Sequence, residues 1–542
     1  MATPIEKDRV PLLKPYGGAG APKRARRIAF WTAVIAAVVC LPYGFYYALL
    51  TPWLLVPLLI PIVVLAGIVI WVLPDIGIAP ERTMETMLFA LIVALNAWPN
   101  YLALTFPGLP WITVSRLIGT PMVLLLLVSI STAPKFRGNL SAVLKASPTV
   151  TKGLLIFTAL QVISIAFTSQ IGVSISKLVV HLTNETAALL LCAYFFHRKG
   201  RAELFGGLIW AVAIFTGLVG MREYAEQHVL WAGHVPGFLL PPDEIVMKIL
   251  QGSTRATTGE YRAQSVYTTS LSFSEFMALA LPLPLHFAMT SRYRLWIRVA
   301  GFASIPLMVM FILQSGSRLG LLGFFLGTMV YLLLWALRLQ SQNRGSLLAP
   351  SIIVAYPAIF SLFVLSSFVV GRIKAKVWGM GQYDDSNQSR IDQWHLGIPK
   401  ILTHPLGHGI GTGAEVLGYV NLAGTLTIDS YYLNLLLEYG IVGFIAFVAV
   451  FLISAWQGTR YSLQISAEDA DVGFILPLTA SIISFLALKA FFAQDDNNAL
   501  AFMMVGALVG LIYRLKRQTA AAAVAAPAEV AMPRRRLVGA QA

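Results

Sequence analysis

Long apolar runs recur along the chain, separated by short polar or basic connections. A helix needs about 20 mostly apolar residues to cross the hydrocarbon core of a bilayer, and a lipid-exposed backbone must be helical to satisfy its polar groups. The runs of this length predict fourteen membrane helices, near residues 28–50, 53–73, 84–106, 111–131, 150–169, 174–196, 203–221, 266–289, 298–315, 319–337, 348–370, 431–456, 472–493 and 498–513. We therefore predict an all-α, polytopic membrane protein with a transmembrane domain over residues 28–513.

The basic residues of the connections assign the two faces of the membrane. They recur after every second predicted span, at Arg82, Lys135, Arg137, Lys145, Arg198, Lys199, Arg201, Arg292, Arg294, Arg298, Arg338, Arg344 and Arg460. Lys and Arg stay on the cytoplasmic side of bacterial membrane proteins. The pattern predicts an inner-membrane protein with two cytoplasmic tails, a basic one over residues 1–27 and a basic, disordered one over residues 514–542.

The composition agrees with lipid as the solvent of most of the chain. Hydrophobic residue types make up 57% of the sequence and charged types 12%, too few polar groups to cover a water-soluble globule of 542 residues. The formal charge of +15 is gathered at the chain ends and between apolar blocks, which is typical of topology signals and argues against nucleic-acid binding. Cys40 and Cys192 lie inside apolar runs, so neither a disulfide nor a thiolate metal site is expected.

Two outer connections, near residues 222–265 and 371–430, are far longer than usual, which indicates a functional role. The outer segments contain arginines, contrary to the bias that keeps basic residues on the cytoplasmic side. They are Arg222, Arg255, Arg262, Arg318, Arg372 and Arg390. Guanidinium groups bind phosphate with a planar fork, so the set suggests an anionic ligand at the membrane surface. The alternative is that individual arginines pair with Glu223, Asp243, Glu260 or Asp392.

Several motifs between residues 310 and 450 carry a family resemblance. They are the hairpin Ser315-Gly-Ser-Arg318, the segment Arg390-Ile-Asp-Gln-Trp394, the glycine-rich run from His404 to Gly413, and the run from Asp429-Ser-Tyr-Tyr through Glu438-Tyr-Gly to Gly443. In order and membrane placement they resemble the O-antigen ligase and Wzy-type polymerase superfamily. The upstream segment beginning at Arg262 is similar to another arginine region of these proteins.

The resemblance implies glycosyl transfer on the periplasmic face, from a glycan carried on undecaprenyl pyrophosphate, with no cofactor and no metal. The acceptor is another lipid-linked repeat unit in the polymerases and lipid A-core in the ligases, and the product is O-antigen, capsule or exopolysaccharide. A chain-length regulator is a further partner suggested by this function. By the same resemblance, Arg318 and Arg390 with Arg262 would clamp the pyrophosphate leaving group.

The last motif departs from the ligases, which carry a histidine where this chain has Asp429. A carboxylate accepts a proton efficiently only if burial or another carboxylate raises its pKa toward the working pH. The substitution favours a polymerase over a ligase, with Asp429 as the first candidate for the base and Glu260 as the second. Asp429 would alternatively serve as a helix N-cap, because it precedes an apolar helix.

Four further residues are candidates for substrate binding. Trp394 and Tyr432 are expected to stack on sugar rings, although both types also anchor membrane interfaces. His404 and Gly409 lie in the glycine-rich run, whose backbone N–H groups can approach a phosphate or simply build the loop. A transporter of lipid-linked glycan is the alternative from another functional class, but the sequence has no convincing internal repeat.

Overall fold

The computed structural model describes residues 30–31, 34, 55–75, 77–105, 111–254, 259–345, 347–371, 374, 384–421, 424–465 and 469–525. The chain divides into two compact units, one comprising residues 1–79 and 125–137 and the other residues 80–124 and 138–542. In the described part of the first unit, helix α1 (Leu55–Val72) is followed by an extended segment in which the Gly77 N–H donates to the Thr132 carbonyl, at 3.2 Å. The candidate site lies in the second unit.

The next helices in chain order are α2 (Glu81–Ala97), α3 (Val114–Thr132), α4 (Pro134–Leu144), α5 (Pro148–Ser164), α6 (Ile171–His181), α7 (Ala188–Phe196), α8 (Arg201–Glu226), α9 (Glu244–Leu250), α10 (Ser270–Ala280), α11 (Pro282–Met289) and α12 (Leu295–Gln314). They are followed by α13 (Arg318–Gln342), α14 (Leu348–Val369), α15 (Asp384–Thr403), α16 (Gly413–Leu417), α17 (Tyr431–Ser462), α18 (Ala470–Gly473), α19 (Ile475–Lys489) and α20 (Asn498–Ala525). Short 3₁₀ turns cover Ile165–Phe167 and Gly237–Leu239, and β1 (Ser253–Thr254) pairs antiparallel with β2 (Tyr261–Arg262).

Eleven helical segments of the described chain are long and apolar enough to cross a membrane. They correspond to the predicted spans from 111–131 onward, so the prediction of an all-α, polytopic membrane protein is confirmed in class. The predicted spans near 53–73 and 84–106 correspond to α1 and α2, the second of which ends at Ala97. The prediction near 28–50 falls almost entirely outside the described residues, as do the tail over 1–27 and residues 526–542.

The boundary of the C-terminal tail is a correction. Disorder was predicted from residue 514, but α20 continues to Ala525, so this prediction is wrong for residues 514–525. The run of alanines favours helix, because alanine has the highest helix propensity. Arg514 also anchors this part of the helix, since its guanidinium lies 2.6 Å from the Asp469 carboxylate and 3.0 Å from that of Asp471.

The centre of the second unit consists of three helical segments that are mostly buried by protein. They are Ser270–Met289, Ala470–Lys489 and Asn498–Ala521. Of the apolar 18-residue stretch in each, 94%, 83% and 89% is buried, whereas in Leu348–Ser366 the value is only 6%. Small residues allow these helices to approach closely. A Cβ atom at Gly323 would lie 2.6 Å from the Leu488 side chain, which shows how tightly α13 packs against α19.

Two interruptions of regular helix help to form the site. A π-helical segment, Leu182–Ala187, joins α6 to α7. Helix α17 breaks at Gly440, where φ is 67° and ψ is −171°, a conformation that favours glycine. The break frees backbone groups, and the preceding loop satisfies them, because the Ile441 N–H donates to the Pro405 carbonyl at 3.0 Å and the His408 N–H to the Leu437 carbonyl at 2.8 Å.

Candidate active site

The hairpin between α12 and α13 presents Arg318 as the first residue of an apolar helix. Its turn is held by local hydrogen bonds, in which the Ser315 hydroxyl donates to the Ile312 carbonyl at 2.6 Å. The Ser317 hydroxyl caps α13 by accepting from the Gly320 N–H at 3.1 Å. Arg318 therefore starts a helix that is rigidly fixed at its N-terminus.

Arg262 lies directly against this hairpin. Its Nε donates to the Ser315 carbonyl at 3.0 Å, and the neighbouring Ala263 N–H donates to the Gln314 carbonyl at 3.1 Å. Gly316 has a φ of 61°, and a Cβ atom there would lie 3.2 Å from Cγ and Nε of Arg262. Glycine is thus required both for the turn and for the close approach, and the structure places Arg262 against the hairpin that carries Arg318.

A buried carboxylate at the end of α8 fixes the segment that carries Arg262. Glu223, 1% exposed, accepts from the Tyr261 hydroxyl at 2.8 Å and from the N–H groups of Gln264 and Ser265 at 3.1 and 2.6 Å. Ser265 has a φ of 53°, a strained value for a residue with a side chain. These bonds hold the segment in a single conformation beside the hairpin.

Asp429, Gln393 and Arg390 form a second group of side chains. The Gln393 amide donates to Oδ2 of Asp429 at 3.2 Å and accepts from the Asp429 N–H at 2.8 Å. Arg390 is one helical turn before Gln393 on α15 and interacts electrostatically with Asp429. Its Nε is buried and has no hydrogen-bond partner among the residues that the structure describes.

The environment of Asp429 opposes ionisation in part. Burial raises the pKa of its carboxyl, while the Arg390 guanidinium and the Gln393 amide act against that rise. Burial likewise lowers the pKa of Arg390, and Asp429 counteracts the effect. The structure contradicts the alternative prediction that Asp429 caps α17. The N-cap is Ser430, whose side chain accepts from the Leu433 N–H at 3.4 Å. The Asp429 side chain instead bonds Gln393.

Sequence neighbours of both groups contact the C-terminal end of α19. Leu319, next to Arg318, packs against Leu488 and Phe492. On the other side, the Tyr432 hydroxyl donates to the Leu486 carbonyl, and the Tyr432 ring lies edge-on to Phe444 with centroids 5.4 Å apart. The predicted substrate residue Tyr432 thus fixes the start of α17 against α19.

Three of the four carboxylates proposed as alternative partners of the arginines have other contacts. Glu223 holds the segment from Tyr261 to Ser265, Asp243 caps α9, and Asp392 accepts from the Gln388 amide at 2.8 Å. Arg222 forms an ion pair with Glu226. Arg255 and Arg372 lie outside the described residues. Glu260, the second candidate for the base, is exposed beside β2.

The remaining predicted residues lie near the break in α17. Trp394 packs against the buried cluster of Ile401, Leu417, Leu433 and Leu437. His404 is exposed, and its ring lies 4.5 Å from that of His408. The Gly409 N–H donates to the Glu438 carbonyl at 3.0 Å, and a Cβ atom at Gly409 would lie 2.6 Å from Thr168. These contacts account for the packing of the glycine-rich run.

A cavity of about 860 Å³, with several charged residues in its wall, adjoins this region and was not predicted. Its wall includes Lys177, His181 and Glu185 from α6 and the π-helical segment, and Asp495 and Asp496 from the connection after α19. The sequence did carry a signal for this cavity. Lys177, His181 and Glu185 recur every four positions in an apolar run and so share one helix face. Ionisable residues inside a membrane span mark functional sites by default.

Residues 302–448 match the family described as O-antigen ligase. The matched range contains Arg318, Arg390, Gln393 and Asp429, whereas Arg262 and Glu260 precede it. The resemblance inferred from the motifs is thereby confirmed for this part of the chain, which the family associates with glycan ligation or polymerisation at the membrane. A search of characterised proteins found no significant match. Together with the eleven apolar helices, the family indicates a multi-pass bacterial membrane protein.

Proposed function

We propose that this chain polymerises oligosaccharide repeat units carried on undecaprenyl pyrophosphate, at the periplasmic face of the inner membrane. The observation that carries the proposal is the group of Asp429, Gln393 and Arg390. A partly buried carboxylate, not engaged as a helix cap, interacts electrostatically with a guanidinium whose buried Nε has no hydrogen-bond partner in the described part of the chain. This arrangement offers a proton acceptor and an anion-binding group side by side.

In the proposed reaction, the hydroxyl oxygen of the acceptor sugar forms a bond with the anomeric carbon of the donor glycan. The bond between that carbon and the pyrophosphate oxygen breaks, and the electron pair leaves with the carrier pyrophosphate. The proton of the attacking hydroxyl passes to the Asp429 carboxylate. Arg318 and Arg262 on one side and Arg390 on the other stabilise the charge that develops on the leaving group.

The structure supports this assignment through preorganisation. Arg262 is held by Glu223 through the adjoining backbone and by the Ser315 carbonyl, and Arg318 begins a capped helix. Donors fixed before the reaction do not have to reorganise as charge develops, and this is often the largest catalytic contribution. Glu260 is exposed, whereas Asp429 is partly buried and bonded to Gln393, so Asp429 remains our first choice for the base.

A ligase is the second candidate, because the matching family is described as O-antigen ligase. It would use the same donor and the same groups but transfer the glycan to lipid A-core or another acceptor. Asp429 in place of histidine is the reason to prefer polymerisation. A chain-length regulator would be a partner of the polymerase but not of the ligase.

A deletion strain separates the candidates through its surface polysaccharide. We expect glycans limited to a single repeat unit if the chain is a polymerase. Full-length chains stranded on the carrier lipid would indicate the ligase instead. An unchanged polysaccharide, in a strain without a second copy of this chain, would contradict both.

A further inference from the structure

The C-terminal end of α19 carries a lysine that the protein encloses completely. Lys489 is the last residue of this helix, and its side chain and that of Glu275 on α10 have no exposed surface. The ammonium lies 3.0 Å from Oε1 and 3.2 Å from Oε2 of Glu275, and it also donates to the Gln494 carbonyl. The charge pattern predicts this end of α19 to be periplasmic, so Lys489 is a further cation on the side where basic residues are disfavoured.

Stability alone does not account for a buried ion pair of this kind. Removing two charges from water is costly, and apolar residues in place of such a pair often leave a protein equally stable or more stable. Ionisable residues within a membrane-spanning segment are rare and usually have a functional role. The contacts of Lys489 with the segments around it indicate that role.

On one side, the ion pair belongs to the helix that packs against the arginine hairpin. Glu275 lies on α10, which follows the segment that carries Arg262. A Cβ atom at Gly320 would lie 2.6 Å from Cβ of Ser274, so α10 packs tightly against the first turn of α13, the helix that begins at Arg318. A cation fixed to Glu275 is therefore fixed to the part of the protein that carries both arginines.

On the other side, Lys489 contacts the start of α17, which follows Asp429. The ammonium lies 5.1 Å from the centroid of the Tyr431 ring, within the range of a cation–π interaction. Tyr431 is buried, and its hydroxyl accepts from the Asn498 amide at 2.8 Å. Since Tyr431 comes two residues after Asp429, a displacement of the ring would also displace the candidate base.

We infer that Lys489 is a positioning residue, which sets the spacing between the two halves of the proposed active site by holding Tyr431 of α17 against Glu275 of α10. The inference rests on the proposed glycosyl transfer. Because Lys489 is fully enclosed, it does not touch the substrate and acts through the placement of Asp429 relative to the arginines. Misplacement of reacting groups by about 1 Å can cost about 100-fold in rate, so this spacing matters for catalysis.

Neutral replacement of both partners separates positioning from folding. Lys489→Met alone would leave the Glu275 carboxylate buried without its cation, which is strongly destabilising. Lys489→Met combined with Glu275→Gln, the neutral-pair variant, leaves no unpaired charge and keeps an amide oxygen that can accept from Asn497, as Glu275 does at 3.0 Å. Glu85→Gln combined with Arg201→Met is the matched control, because it neutralises an ion pair between α2 and α8 at the face predicted to be cytoplasmic.

The spacing of the two halves can be measured without turnover, by double electron–electron resonance on the full-length protein in lipid nanodiscs. One spin label is attached at Leu313→Cys, in the last turn of α12 before the hairpin, and the other at Ile391→Cys, beside Arg390 on α15. Both side chains are about half exposed, so the labels do not disturb the core. The native cysteines, Cys40 and Cys192, are replaced by alanine.

We expect one narrow distance distribution with the native ion pair and a broader or displaced distribution in the neutral-pair variant. Tyr431→Leu, which removes the ring but leaves the ion pair intact, should change the distribution in the same way. The control with Glu85→Gln and Arg201→Met should give the distribution of the native pair, because its ion pair contacts neither α10 nor α17.

The kinetic constants test the consequence for transfer, in liposomes that contain purified protein and lipid-linked repeat units. In the neutral-pair variant kcat should fall about tenfold to 100-fold while KM stays within about twofold, because alignment is lost and substrate binding is not. Tyr431→Leu should lower kcat similarly, and combining it with the neutral pair should add little, since both changes break the same contact. Tyr431→Phe keeps the ring and should retain most of the activity.

The inference is overturned if the neutral-pair variant has the distance distribution of the native pair, if the control changes that distribution equally, or if kcat is unaffected by an altered spacing. It is also overturned if the effects of the neutral pair and of Tyr431→Leu on kcat simply multiply. Failure of the proposed function is read separately, from a wild type that links no repeat units. The distance measurement requires no turnover and still decides the role of Lys489 in that case.

Discussion

The proposed arginine site, comprising Arg262 and Arg318 at the hairpin and Arg390 with Asp429, differs from the cavity lined by Lys177 and Asp495 in how its charges are arranged. In the cavity the cations are partnered, Lys177 by Asp495 and Arg116 by Ser176. In the arginine site, Arg262 donates to the Ser315 carbonyl and Arg318 is the first residue of α13. Arg390 has a buried Nε without a hydrogen-bond partner in the described chain. The arginine site therefore suits an anionic ligand, whereas the carboxylates that line the cavity oppose one.

The largest effect is expected from Arg318→Ala, because it removes a preorganised cation from the leaving-group side. Transfer should fall about 100-fold to 1,000-fold while protein level and membrane insertion stay normal. Arg318→Lys should restore little, since an ammonium cannot reproduce the planar fork. Glycan assembly in a deletion strain complemented with each variant provides the measurement. Full activity of the alanine variant would show that Arg318 takes no part in transfer, and the proposed difference between the two regions would then be wrong.

Asp429→Asn should lower the rate about 100-fold or more, because the amide cannot accept the hydroxyl proton. It keeps the side-chain volume, so the amount of protein in the membrane should stay normal. The measurement is the rate of transfer at saturating donor and acceptor. If Glu260→Gln abolished transfer and Asp429→Asn did not, Glu260 would replace Asp429 as the base.

A smaller effect is expected from Gly316→Ala, which tests the contact between the hairpin and Arg262. The added Cβ atom would meet the Arg262 side chain at 3.2 Å, in a residue whose φ of 61° already disfavours a side chain. The strain should destabilise the protein by about 1 kcal/mol and displace Arg262, lowering transfer about tenfold. A variant with normal activity would show that the position of Arg262 is not critical.

The smallest effect concerns pH. Asp429 must be ionised to act as a base, and burial raises its pKa while Arg390 and Gln393 oppose the rise. Removing the Gln393 amide in Gln393→Leu takes away one of the opposing groups, so the pKa should rise further. The rate is lost as the pH falls through the pKa of the base, and the acid limb of the pH–rate profile should therefore move to higher pH.

Ser430→Ala is the control for that shift. It removes the N-cap of the same helix start and should cost about 1 kcal/mol of stability, but it leaves the groups around Asp429 intact. Its acid limb should coincide with that of the wild type. An equal shift in both variants would mean that the profile reports loosening of the helix rather than ionisation of Asp429.

The sequence predicted those structural features that depend on the residue pattern of a single local segment. Apolar runs marked the membrane helices, and Ser315-Gly-Ser-Arg318 marked a hairpin, because length and turn chemistry are readable along the chain. The contact of Arg262 with Ser315 joins residues 53 positions apart, and its geometry required the tertiary structure. The same holds for Gln393, which bonds Asp429 from another helix and was not among the predicted residues.

The glycine-rich run illustrates why some candidate roles could not be decided from sequence. Glycines near a phosphate and glycines packed against a broken helix have the same pattern along the chain. In the structure the Gly409 N–H donates to the Glu438 carbonyl, because the break at Gly440 leaves backbone groups to be satisfied. Trp394 likewise packs on a buried cluster. Direct contact of these residues with a glycan remains a prediction.

The central claim is tested most directly in liposomes that contain the purified full-length protein and a lipid-linked repeat unit, without any ion gradient. The account predicts that the wild type links repeat units and releases one carrier pyrophosphate for each bond formed, whereas Asp429→Asn does neither. Movement of the lipid-linked unit across the bilayer without bond formation would contradict the account and indicate a transporter.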